Sequence, residues 1–176
     1  MSWKASILLC ISRFKFYSQI SKGILSTFAD VDKSEKYMRK AQGKQRTRIM
    51  EEMERDLIKL YRQEIRKYTY MFQSDVYSII LNHPAPRYYV TPEWAYKRIK
   101  GLQYGDTSCL DGLNPLKKEM YLSLFETVKR LSEKPSFRKK TLHYILQYAV
   151  LEPAPKFYIG ISRMGVIFRK NRMHRN

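Results

Sequence analysis

One short phrase occurs twice in this chain. Residues 84–90 read Pro84-Ala85-Pro86-Arg87-Tyr88-Tyr89-Val90, and residues 153–159 read Pro153-Ala154-Pro155-Lys156-Phe157-Tyr158-Ile159. Each copy is P-A-P, a cation, an aromatic, a tyrosine and a β-branched aliphatic. Each follows an apolar stretch, 76–81 in the first case and 142–151 in the second. Proline lacks a backbone N–H and forces the residue before it out of the helical region, so each copy ends a helix and starts an extended elbow. The two copies suggest two related halves. Their offset is 69 residues and identity outside the motif is slight, which fits an old duplication and a chance echo alike.

The remaining punctuation predicts helices. Residues 35–72 read as one long helix, with Ile49, Met53, Leu57, Leu60, Tyr61, Ile65, Tyr68 and Phe72 spaced by three and four. Gly43 interrupts its beginning. Ser74-Asp75 caps a shorter helix to about Asn82. Thr91-Pro92-Glu93 opens another over 92–100, with threonine as cap, proline at the first position and an acid in the first turn. Residues 101–114 form a loop, and Asn114-Pro115 repeats the cap-plus-proline start for a helix over 116–131. Ser136 is read as the cap of the next helix, which carries Leu142, Ile145, Leu146, Ala149 and Val150. The fold class is all-α or nearly so, with five to six helices around one core and the proline motifs as matching elbows. The organisation is a basic N-terminal extension (1–30), a first helical half (31–100), a loop (101–115), a second half (116–160) and a basic tail (161–176).

Charge bounds the partners. The chain carries 34 basic and 16 acidic residues, a net charge of +18. Self-repulsion of that size favours an anionic partner, whether nucleic acid, membrane surface or acidic protein. The interleaving of basic residues with 14 Tyr, 8 Phe and 2 Trp favours nucleic acid. Charge speaks to association and not to fold.

The cations fall in clusters. Arg39, Lys40, Lys44, Arg46 and Arg48 lie within ten residues with no acid among them. Lys134, Arg138, Lys139 and Lys140 surround an expected helix start, where free N–H groups and lysines together can hold a phosphate; screening by solvent is the plain alternative. The tail adds Arg163, Arg169, Lys170, Arg172 and Arg175 after the last acid, Glu152, either as a phosphate-binding arm or as a solubilising end. Lys97 and Arg98 lie on the 92–100 helix. In the motif, Arg87 and Lys156 could reach phosphates while Tyr88, Tyr89, Phe157 and Tyr158 offer stacking faces. Aromatics beside prolines are more often packing anchors, so the structural role is favoured.

Several chemistries lack their residues. Tyr158-Ile159-Gly160 does not make a GIY-YIG nuclease, because the partner strand and a downstream glutamate are missing. His143 lacks the arginine of a tyrosine recombinase, since Leu146 stands there. His83, His143, His174, Cys10 and Cys109 are too scattered for a zinc motif. Glu51, Glu52, Glu54 and Asp56 point apart on a helix and read as a solvated face. Cys109 has no activating partner in sequence. No Gly-rich phosphate loop is present. No metal, cofactor or catalytic residue is assigned.

No apolar run is long enough to cross a membrane. Residues 1–29 contain no acid and several serines, like an organelle-import peptide. A basic helix over 7–28, or a true start at Met38, accounts for them equally well.

The string PAPRYYVTPEWAYKRI resembles a PAPRFY-type motif of small helical proteins from bacteriophages and conjugative elements. The resemblance covers 74–100 and 142–160. It implies a mobile-element protein in a bacterial cytoplasm and carries no catalytic residue with it. The function expected is non-enzymatic nucleic-acid binding to the phosphate backbone. The alternative is an assembly protein, of a virion or ribosome-associated, self-associating through the 35–72 helix. A nucleic-acid-processing enzyme comes third. DNA against RNA, and duplex against single strand, stay open.

Overall fold

The computed structural model describes residues 40–41, 43–67 and 73–172. The extension 1–30, its 7–28 helix, Arg39, and Tyr68 and Phe72 of the long helix lie outside the described residues. The chain divides into two units, Met1–Gln45 and Arg46–Asn176. In the first, residues 40–41 and 43–45 are helical and exposed, Lys40 and Lys44 among them. The second holds everything that follows. Its described residues form six helices and no strand.

Helix α1 covers residues 46–67. Ile49, Met53, Leu57, Leu60 and Tyr61 are buried, as their spacing predicts. The stripe then passes through Glu64 and not Ile65. Glu64 is 4% exposed, whereas Ile65 is 43% exposed. Continuing in steps of three and four from Leu57 and Leu60 reaches position 64 on the same face. The buried carboxylate is paired with Lys67 Nζ at 2.6 Å. Among the described residues, Ile49 to Tyr61 of this stripe are enclosed in the chain's own core, while Ile65 is exposed.

Helix α2 is Gln73–Asn82 and buries Val76 and Ile80. It stops before Pro84. Helix α3, Pro92–Gln103, is capped by Thr91, whose hydroxyl accepts the Trp94 N–H at 3.3 Å. Helix α4, Pro115–Glu133, is capped by Asn114, whose Oδ1 accepts the Lys117 N–H at 2.8 Å. Helix α5 is Leu142–Ala149, and its cap is Thr141, not Ser136. Residues 135–139 are turn, so Ser136 lies too far upstream to reach a first-turn N–H.

The expected basic tail is largely a sixth helix, α6, Ile161–Arg172. Met164, Ile167 and Phe168 are buried in it. Phe168 stacks on Tyr61 of α1 with centroids 4.4 Å apart. Helix α6 packs on α2, while α3 packs on α5, and α4 contacts both α3 and α5.

The two proline motifs meet each other. The Ala85 N–H donates to the Ala154 carbonyl and the Ala154 N–H to the Ala85 carbonyl, both at 2.9 Å. Each motif then closes a three-residue turn, Val90 N–H to Tyr88 O and Ile159 N–H to Phe157 O, again both 2.9 Å. Ring packing is reciprocal. Tyr88 stacks on Tyr158 (6.4 Å, 12°) and Tyr89 on Phe157 (5.9 Å, 16°). The first aromatic of one copy thus meets the second aromatic of the other in both directions, the pattern of a self-complementary interface.

Candidate functional site

A cleft of about 360 Å³ opens where α1, α4 and both motifs converge. Met53 and Met120 contribute apolar floor, and Tyr89 and Tyr158 contribute wall. Six cations line it: Arg46, Arg87, Arg98, Lys117, Lys156 and Arg163. No carboxylate is among the described lining residues. Trp94 stands at its edge, 54% exposed.

The motif positions its own side chains. The tight turn at residues 88–90 leaves Tyr88 buried and Tyr89 half-buried, and the second motif treats Phe157 and Tyr158 alike. The first ring of each copy is therefore a core anchor, and the second is cleft surface. Arg87 is held by Glu52 at 3.3 Å, and Lys156 by Glu119 at 2.7 Å. One helical turn beyond each glutamate stands another polar partner. Asp56 Oδ2 accepts the Tyr89 hydroxyl at 2.6 Å, and Ser123 meets the Tyr88 hydroxyl at 2.8 Å. Arg163 pairs with Glu54 at 3.4 Å. The acidic run on α1 is thus the anchor of the cleft's cations and not a solvated face. Glu51 alone of the four is exposed.

The other cations are held differently. Arg46 lies over the Trp94 ring, 5.7 Å from its centroid. The Arg98 guanidinium donates to the Cys109 carbonyl, and Cys109 Sγ donates back to the Arg98 carbonyl at 3.3 Å. This clasp needs Gly101, because a Cβ there would lie 2.7 Å from Cys109 Cβ. Cys109 therefore holds the loop on α3. Arg87 Nε is buried with no hydrogen-bond partner.

Burial raises the Tyr89 hydroxyl pKa above its ordinary value, helped by the bond to Asp56 and the charges of Asp56 and Glu52. Burial also raises Tyr121 and Tyr158. A folded-state pKa above the unfolded value of 10.0 stabilises below that pH, and the contribution is lost as pH rises beyond it. In an alkaline titration we expect these three tyrosines to resist ionisation above pH 10 and to release their protons with unfolding. Tyrosinate absorbance followed alongside circular dichroism checks this. Independent ionisation of all 14 tyrosines in the folded protein would contradict it.

Of the cations expected to act, the cleft gathers Arg46, Arg87, Arg98, Lys156 and Arg163. Arg48, Lys97, Arg169 and Lys170 are exposed outside it. Arg138, Lys139 and Lys140 are exposed on the turn before α5. There Thr141 already satisfies the Tyr144 N–H, and Lys140 Nζ lies 5.2 Å from the Tyr144 ring centroid. The Arg172 side chain lies outside the described residues.

Lys117 joins the cleft unforeseen. Its signal was a cation in the first turn of a helix that has no acid there, the same unfavourable placement that drew attention to 138–140. A second basic groove is lined by Arg55, Lys59, Arg62 and Arg66 with Asn171. These α1 positions lie half a turn from Ile49 and Met53, so the groove and the cleft face opposite sides of that helix.

Compared with known proteins, the chain matches no family model, no curated protein and no solved structure.

Proposed function

We propose that this protein binds nucleic acid without catalysing a reaction on it, using the cleft as its contact site. One observation carries the reading. Cations from distant parts of the chain converge on a single aromatic-walled hollow with no carboxylate among its described lining residues. Three of the six are already paired to glutamates behind the wall. The charge surplus therefore rests on Arg46, Arg98 and Lys117. The positive end of the α4 dipole at Asn114–Lys117 adds to the attraction. The exposed clusters at 138–140 and along α1 would add weaker, non-specific contacts.

The likeness of the first motif to phage and conjugative-element proteins supports a mobile-element origin and a bacterial cytoplasm. The reciprocal motif contacts support descent from a duplicated half. Equivalent α1 and α4 positions, Met53 with Met120 and Leu57 with Leu124, add to that support.

Fluorescence anisotropy of a labelled oligonucleotide across a salt series tests the binding. Each phosphate contact on a single strand contributes about 0.7 to the slope of log affinity against log salt, so three contacts give a slope of about −2. A flat slope would remove the proposal.

A further inference from the structure

The cleft is built from matching positions of the two proline motifs and the helices around them. Tyr89 matches Tyr158, Arg87 matches Lys156, and Val90 matches Ile159. The matching fails at the mouth. Where α3 presents Trp94, the corresponding position of α6 is Arg163. Where α1 presents Met50, the corresponding position of α4 is Lys117. The mouth therefore combines one exposed flat ring, Trp94 with the Arg46 guanidinium 5.7 Å from its centroid, with further cations. A ligand that satisfies both carries a planar ring at one end and anionic oxygens at the other. A base inside a duplex keeps its faces covered by neighbouring bases and cannot offer one to Trp94. The hollow of about 360 Å³ is at the lower end of the range of small-ligand sites and has room for a base.

We propose that the cleft holds one unpaired nucleotide of a single strand, with its base on Trp94 and its flanking phosphates on Arg46, Arg98 and Lys117, the cleft cations not paired to glutamates. This rests on the nucleic-acid reading above and narrows it. Bases stack on aromatic rings without regard to sequence, so the site would favour single strands with little sequence preference.

The test uses the full chain carrying Trp3→Phe, which leaves Trp94 as the single tryptophan of the two. Oligo-dT, oligo-U, an abasic oligomer of equal length, a duplex and free thymidine monophosphate are titrated at low salt. Oligo-dT or oligo-U should quench Trp94, and the stronger of the two identifies the natural strand. The abasic oligomer should bind about five- to 150-fold more weakly, the range that one stacked base gives. Trp94→Ala should reduce the base-bearing strand to the abasic level, and Trp94→Phe should retain part of the difference. Trp94 is largely outside the core, so helical circular dichroism should not change.

Equal binding of abasic and base-bearing strands, or a neutral Trp94→Ala, overturns this inference and leaves the broader reading standing. Duplex binding with the same quench overturns it too. So does monophosphate binding as tight as the oligomer's, which would make the occupant a free nucleotide. Failure of every polymer to bind overturns the nucleic-acid reading itself.

Discussion

Replacing Tyr88 with alanine should destabilise the protein by about 3–5 kcal/mol, the range for deleting a large buried aromatic. Tyr88 is 1% exposed. Its ring stacks on Tyr158, and its hydroxyl meets Ser123 Oγ at 2.8 Å and Thr127 Oγ1 at 3.1 Å. Its N–H bonds to the Val150 carbonyl at 3.0 Å, beside the Ala85–Ala154 pairing. One side chain therefore ties the first motif to α4 and to the second motif together. Total stabilities of single domains are about 5–15 kcal/mol, so a loss of this size consumes much of the margin. The melting temperature should fall by roughly 6–20 °C, at about 2–4 °C per kcal/mol for a chain of this length. Tyr88→Phe separates the two contributions. It keeps the stack and loses only the hydroxyl bonds, at a cost of about 1 kcal/mol. Denaturant midpoints for both variants give the comparison. A loss under about 1 kcal/mol for the alanine variant would mean that the motif is not a core anchor.

The local signals that were legible in the sequence are those that need no partner. Thr91-Pro92 and Asn114-Pro115 set helix starts through their own side chains and ring geometry, and both caps form as expected. Pro84 ends α2 for the same reason. The proline motif was visible as a repeat. Its division into one buried ring and one cleft ring was not, because the tight turn that separates them depends on tertiary packing. The α6 helix was hidden by its charge. Met164, Ile167 and Phe168 carry helical spacing, yet five cations from Arg163 onward weigh toward a solvated end. Burial against α2 and the Tyr61 ring decides the matter.

The misread residues share a cause. Glu52, Glu54 and Asp56 look like a solvated run because successive helical positions diverge. Their partners lie 35, 109 and 33 residues away, and no local pattern announces such pairs. Glu64 was passed over because a carboxylate on an apolar stripe is costly unless paired, and Lys67 supplies the pairing from one turn onward. The cleft was legible in its ingredients and not in its assembly. Five of its six cations were singled out from sequence, but the same criterion also selected exposed residues such as Arg48 and Lys97 that the fold leaves elsewhere.

Removing the three surplus charges of the cleft should cost about 2.5 decades of oligonucleotide affinity at 0.05 M salt and almost nothing near 1 M. Three single-strand contacts give a slope of about 2, and the electrostatic part of log affinity vanishes at 1 M, so the loss grows in proportion to the logarithm of dilution. The variant is Arg46→Ala, Arg98→Gln and Lys117→Ala, where glutamine keeps an N–H for the Cys109 carbonyl that Arg98 now holds. The control is Arg138→Ala, Lys139→Ala and Lys140→Ala. Both variants remove three charges from +18, leaving +15, so their long-range fields weaken alike. Only the first removes charge from the cleft. If the contact is local, the first variant loses most of its salt dependence while the control retains it. If both lose affinity equally, net charge alone attracts the polymer, and the convergence of cations on the cleft has no part in binding.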